Sequence, residues 1–310
     1  MSLSTTHRLN ARAGRGLAGA AESLPLHAVS SFVHLEHRLS YTEFGEGERT
    51  VVLLHGLLLS QRMHKPLARA LAERGNRVVT LDLLGHGRSD RPPNMWEYSM
   101  PMFGEQVIAL LDHLDLDQAV IAGTSLGANV ALEAAALAPE RIRGMVVEMP
   151  VLDGAMIACG VAFLPMLLTM RYGGPVMRLI QAGANAIPRG APPFLIDVGL
   201  DTIRQDPAPS GAVLEGLFFG RIAPHRWQRR TFTQPALVIG HRRDPVHPFS
   251  DAGMLADELP NGRLLEASSI LELRLAPERL TDEIASFVGE VWEADAPAPP
   301  RAAGRRAQAR

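Results

Sequence analysis

The chain reads as an α/β protein, a mostly parallel central sheet with helices on both faces, interrupted once by a helical insertion. Three observations predict this. Short, wholly apolar runs alternate with longer segments of helical apolar spacing, the pattern of parallel strands buried on both sides. The alternation lapses between about residues 150 and 230, where Pro and Gly are frequent, and then resumes. With 310 residues, 46% of them apolar, the chain is long enough for one large core carrying an insertion.

Val29 to Phe44 has the β-branched and aromatic character of a hairpin, with Gly45-Glu46-Gly47 as its closing turn region. Val51-Val52-Leu53-Leu54 reads as a buried strand, 61–74 as a helix and Val78-Val79-Thr80-Leu81 as the next strand. A helix over 101–114 leads to a strand at Ala119 to Ala122. A helix from Ser125 to Leu137 stops near Pro139, and Met145-Val146-Val147 forms a further strand. After the insertion come a strand within Pro235 to Gly240, a helix near 250–258, a strand from Arg263 to Ala267 and a last helix from Pro277 to Trp292. That helix opens with proline at a favoured first-turn position. The expected organisation is a core of 28–149 and 231–292, a helical cap insertion over 150–230, and disordered tails at 1–27 and 293–310.

The tails are cationic: Arg8, Arg12 and Arg15 precede the first acid, Glu22, and Arg301, Arg305, Arg306 and Arg310 close the chain. The first of them lacks the apolar run of a secretory signal. Cys159 is the single cysteine, so no intramolecular disulfide forms, and its apolar surroundings predict an inert buried thiol. A cytoplasmic location is expected. A formal net charge of -2 gives no global attraction to nucleic acid. No residue between Asp153 and Arg171 is charged, but this stretch falls short of the about twenty residues a membrane span needs, and Pro165 interrupts it. A buried or interfacial helix is expected there, with no transmembrane segment. Zinc-type Cys/His spacing and a Walker-type phosphate loop are both absent, so no metal, nucleotide or other cofactor is expected.

Gly123-Thr124-Ser125-Leu126-Gly127 supplies the chemistry. It follows an apolar strand and opens an alanine-rich helix, the strand, turn, helix setting of a G-x-S-x-G nucleophile elbow. Three other motifs sit at predicted strand ends: Leu54-His55-Gly56, the run from Asp82 to Asp90 (DLLGHGRSD), and Gly240-His241-Arg242-Arg243-Asp244-Pro245. Open parallel sheets place their sites at those carboxyl ends. With these four motifs in order, the chain resembles the α/β-hydrolase superfamily over roughly residues 28 to 292.

The resemblance implies Ser125 as nucleophile and the backbone N–H groups of Leu57 and Leu126 as the oxyanion hole. It implies Asp244 as the acid that orients a base, Asp153 as a secondary candidate acid, and loop-shaping roles for His55 and His86. Dehalogenases and epoxide hydrolases of this fold use an aspartate at the elbow, so Ser125 argues against their chemistry. One position departs from the pattern. The base usually lies about seven residues before the Pro-Glu pair that opens the last helix, here Pro277-Glu278, and that position is Ile270. No histidine follows His247; at most, a register shift brings Glu272 toward the site. The best substitute is His247, three residues after Asp244 and bracketed by Pro245 and Pro248; His241 and His225 are weaker candidates.

Two readings follow. One is a serine hydrolase or acyltransferase with a displaced base, acting on a small hydrophobic ester, thioester or related acyl substrate. The other is a ligand-binding protein in which Ile270 faces the ligand, resembling the gibberellin receptor, a hydrolase-like fold with an apolar residue at the base position.

Overall fold

The computed structural model describes residues 29–294. The tail expected at 1–27, and all but Glu293 and Ala294 of that expected at 293–310, lie outside the described residues. The strands are β1 (Val29–His34), β2 (His37–Phe44), β3 (Arg49–Leu54), β4 (Asn76–Asp82), β5 (Ala119–Thr124), β6 (Ile142–Glu148), β7 (Ala236–His241) and β8 (Gly262–Ala267). They form one sheet in the order β1-β2-β4-β3-β5-β6-β7-β8. β1 and β2 pair antiparallel, β2 runs antiparallel to β4, and the rest are parallel.

Three helices separate the strands up to β6: α1 (Lys65–Ala72), α2 (Met100–His113) and α3 (Leu126–Leu137). Between β6 and β7 lie α4 (Met156–Tyr172), α5 (Gly174–Ala186), α6 (Phe194–Ile203), α7 (Pro207–Phe218) and α8 (Arg226–Arg229). After β7 come α9 (Phe249–Glu258), α10 (Glu272–Leu275) and α11 (Glu278–Glu293). Alternate strand residues face opposite sides of a sheet. Val51 and Leu53 therefore pack with Leu67, Leu71, Ile284 and Phe287 of α1 and α11, while Val52 and Leu54 join Phe103, Leu110, Leu132 and Leu255 of α2, α3 and α9. This double cover makes the strand runs wholly apolar.

The hairpin does not close at Gly45-Glu46-Gly47. Its turn is Leu35-Glu36, with φ values of 46° and 68°, the pair of positive angles that a tight hairpin needs to match strand twist. The glycines serve a crossing instead. A Cβ on Gly45 would come within 2.4 Å of Asn76 O, and one on Gly47 within 1.9 Å of Gly75 O, so only glycine lets the β2–β3 connection pass the start of β4.

The insertion is helical, and only part of it joins the core: Ala212 and Val213 of α7 pack into the cluster that holds α2 and α3. α4 runs through Pro165 without ending there, and none of its residues is buried. Cys159 is only half-buried. Among the described residues, Asp153–Tyr172 is the one helical segment long and apolar enough to cross a membrane, by length and composition alone. Polar contacts tie the insertion to the core. Arg62 donates to Asp197 and Asp201, Thr202 Oγ1 to Leu58 O, and Arg221 to Glu133. Asn129 Nδ2 on α3 donates to the carbonyls of Val151 and Ile222, where the chain leaves and re-enters the core.

Candidate active site

β5 ends in the elbow. Ser125 has φ 54° and ψ -109°, a conformation costing about 1–3 kcal/mol that persists only when its surroundings fix it. They do so closely. The Ser125 N–H donates to Glu148 O at 2.8 Å and the Gly127 N–H to His55 O at 3.1 Å. A Cβ on Gly123 would lie 2.1 Å from Gly127 C and O, and one on Gly127 would lie 2.2 Å from Leu54 O. Both glycines are therefore required for α3 to start against β3.

Leu126 is the first residue of α3, so its N–H has no intrahelical acceptor and sits at the positive end of the helix dipole. Leu57 follows His55-Gly56, the loop that the Gly127 N–H holds against the elbow. His55 fixes that loop: its Nδ1 donates to Gly56 O at 2.9 Å, and its Nε2 accepts from the Leu83 N–H at 3.1 Å. Burial lowers its pKa, and the ring is neutral with its proton on Nδ1. His86 is likewise buried, donates from Nδ1 to Leu84 O, and is held neutral by burial and by His55. The loop-shaping roles expected for both agree with these contacts.

Past β7, Asp244 and His247 form a closed local unit. Asp244 Oδ1 accepts from the N–H groups of Val246 at 2.8 Å and His247 at 2.9 Å, and Oδ2 accepts from His247 Nδ1 at 2.9 Å. Burial opposes the Asp244 charge, but these hydrogen bonds outweigh it and hold the carboxyl below its ordinary value. His247 Nε2 lies 2.9 Å from Ser125 Oγ. With Nδ1–H pointing to Asp244, Nε2 is free to accept the serine proton. An aspartate bonding backbone two and three residues on is the usual aspartate-turn geometry, and prolines on both sides limit the backbone freedom of the segment.

The other candidates lie elsewhere. Asp153 is exposed at the start of α4, and the amides around it, those of Leu152 and Ala155, bond to Asp251. His225 caps α8 and its ring stacks on Trp227. His241 is buried in β7, its nearest carboxylate oxygen Glu148 Oε1 at 3.9 Å. Glu272 does not reach toward the elbow. It accepts from Ser268 N and Arg279, the guanidinium drawing its pKa down to about 2. Ile270 is 38% exposed between β8 and α10.

A second carboxylate beside the elbow escaped sequence reasoning. Glu148, buried at the end of β6, accepts from Thr124 Oγ1 at 2.5 Å and from Arg274 at 2.9 Å. Burial pushes its pKa up, and Arg274, then Thr124, more than reverse this, leaving it below the ordinary value. Arg274 comes from α10, four residues past Ile270. An acid closing the apolar run Met145-Val146-Val147 was the available signal, since such a residue needs a partner. A cavity of about 1010 Å³ lies apart from the elbow: Gln61, Asp82, Arg88 and Arg204 line it together with Val29 and Phe44, and no member of the Ser125, Asp244, His247 set does.

Comparison with known proteins bears on the fold that carries these residues. The alpha/beta hydrolase fold family matches residues 49–165. A haloalkane dehalogenase of Mycolicibacterium paratuberculosis is 26% identical over 269 residues, covering 76% of this chain and 82% of that protein. 3-Oxoadipate enol-lactonase 2 of Acinetobacter baylyi is 27% identical over 242 residues, covering 75% of this chain and 86% of that protein. Among solved structures, the enol-lactonase of Burkholderia xenovorans LB400 superposes with a TM-score of 0.68 at 23% identity, covering 84% of this chain and 100% of that one. The sheet order, the elbow at the end of its fifth strand and these likenesses agree on the fold: the chain has the α/β-hydrolase fold, and over residues 49–165 it matches that family.

Proposed function

We propose that the protein is a serine hydrolase that cleaves an apolar ester, thioester or related acyl substrate through an acyl-Ser125 intermediate, with His247 as base and Asp244 as its orienting acid. The observation that carries this is the continuous hydrogen-bonded line from Ser125 Oγ through His247 to Asp244, both links 2.9 Å. In the acylation step the serine oxygen bonds to the acyl carbon as its proton passes to His247 Nε2. The resulting oxyanion is met by the N–H groups of Leu57 and Leu126. Collapse breaks the bond to the leaving group, which takes the proton from the imidazolium, and water repeats the sequence to release the acid. Asp244 stays ionised throughout, as its lowered pKa favours.

The enol-lactonases among the relatives are named for cleaving a cyclic ester, the same bond class. The dehalogenase similarity is not carried to its chemistry, because the elbow holds Ser125 where that class uses an aspartate. The helices between β6 and β7 act as the cap over the site, and residues 28–149 with 231–292 as the catalytic core. The ligand-binding reading rested on the lack of a base, and the Ser125–His247 contact favours the enzyme over it. The test is labelling with a fluorophosphonate probe, read by intact mass. One adduct is expected on the wild type, none on Ser125→Ala and a sharply slowed reaction on His247→Ala. A folded wild type that takes up no probe between neutral and mildly alkaline pH overturns the assignment.

A further inference from the structure

α4 presents a problem of burial. From Met156 to Ala186, across α4 and α5, the chain holds no Asp or Glu and only two cations, Arg171 and Arg178. A helix apolar on all sides is ordinarily enclosed, yet Ile157 is 83% exposed, Val161 73% and, on α5, Leu179 75%. Ile157, Val161, Leu164 and Leu168 follow one another at intervals of four, three and four residues, which places them in one outward stripe. The opposite side of α4 faces the protein. Cys159 lies there, its thiol pKa raised by burial and then by the carboxylates of Asp251 and Asp244. α4 is thus a roof near the Asp244 loop, apolar on its outer surface.

We propose that the outer face of α4 and α5 docks the protein onto an anionic lipid bilayer, with α4 lying in the headgroup region rather than crossing it. Charge complementarity selects this occupant. Arg178 is exposed on α5 with no carboxylate within ion-pair distance among the described residues, and Arg171, exposed near the end of the stripe beside Tyr172, shares its charge with Glu215 of α7 at 3.5 Å. Interfacial helices combine an apolar face with such cations. A symmetric contact with a second copy would bring the two Arg178 side chains toward each other, with no acid on α4 or α5 to neutralise them. Docking in this pose turns the Asp244 side of the roof away from the lipid and stands whether or not Ser125 is the nucleophile.

The experiment is flotation of the full chain with vesicles of phosphatidylcholine alone and of phosphatidylcholine with phosphatidylglycerol. It compares wild type, Ile157→Ser/Val161→Ser/Leu179→Ser and Arg178→Glu, with sedimentation velocity alongside. All three side chains of the triple variant are solvent-exposed, so its melting temperature should match the wild type; Arg178→Glu provides the test if it does not. The expected result is preferential binding of wild type to the anionic vesicles. The partition coefficient should fall about ten-fold or more in the triple variant and about five-fold or more in Arg178→Glu. Three results overturn the proposal: no vesicle binding by wild type; binding unchanged by both variants, which would assign it to the arginine-rich ends; or a dimer in solution that the triple variant dissolves, which would make this face a self-association surface.

Discussion

Asp244 and Glu148 are carboxylates at the ends of neighbouring strands, both drawn below their ordinary pKa, and their partners set them apart. Asp244 faces an imidazole, which can take a proton and return it. Glu148 faces Arg274, whose charge is permanent. Two negative charges stabilised in the same direction therefore suit different tasks, the proposed catalytic pair in one place and a structural brace in the other. The brace is close to the chemistry: Arg274 reaches Thr124 Oγ1 at 3.0 Å, and the Ser125 N–H donates to Glu148 O.

Breaking the proposed catalytic pair should give the largest effect. His247→Ala is expected to lower turnover of a short-chain aryl ester by on the order of a million-fold, and Asp244→Asn by on the order of ten-thousand-fold, both with little change in melting temperature. Steady-state kinetics with active-site titration checks this, and comparable loss of fold in either variant would break the distinction. The brace should behave in the opposite way. Arg274→Met leaves a buried charge unpaired and should cost about 3–5 kcal/mol of stability, most of it recovered in Glu148→Gln/Arg274→Met, as read by urea denaturation.

Acid sharpens the same contrast. A carboxylate whose folded pKa is depressed contributes stability above its unfolded value, about 4.3 for Glu, and loses it as pH falls through the folded value. Wild type should therefore lose stability relative to the Glu148→Gln/Arg274→Met variant as pH drops below about 4.3, and the two should run parallel from pH 6 to 8. The smallest effect is expected at the usual base position: Ile270→His in the His247→Ala background should restore no measurable turnover, because Asp244 is oriented by its own loop. Recovery there would show that the acid serves either position.

The sequence carried the parallel core and the elbow well, because buried strands such as Val51 to Leu54 and the G-x-S-x-G turn are local patterns with a single physical solution. The Asp244–His247 unit was also legible in its spacing, since both residues and their prolines lie within five positions. The hairpin turn at Leu35-Glu36 was not, because neither residue advertises positive φ as glycine does. The Arg274–Glu148 contact was hidden for another reason: its partners are separated by 126 residues, and sequence shows an acid in need of a partner without naming it. α4 shows the limit of composition, since a buried or an interfacial helix fits its sequence and only the fold shows that none of its residues is buried. Composition alone does not say what covers a helix.

β8, the sheet's last strand, pairs with β7 alone, and edge strands with the elements beyond them open more readily than interior ones. A base delivered from the segment after β8 would ride on that opening. Here donor, acceptor and orienting carboxylate all stand on β5 and the β7–α9 loop, so their alignment is insulated from fraying at the rim. Amide exchange confined to 262–267 should leave the rate of acyl transfer untouched, and β8 has more freedom to drift in sequence than the Arg274 segment beyond it, which is held to Glu148 beside the elbow.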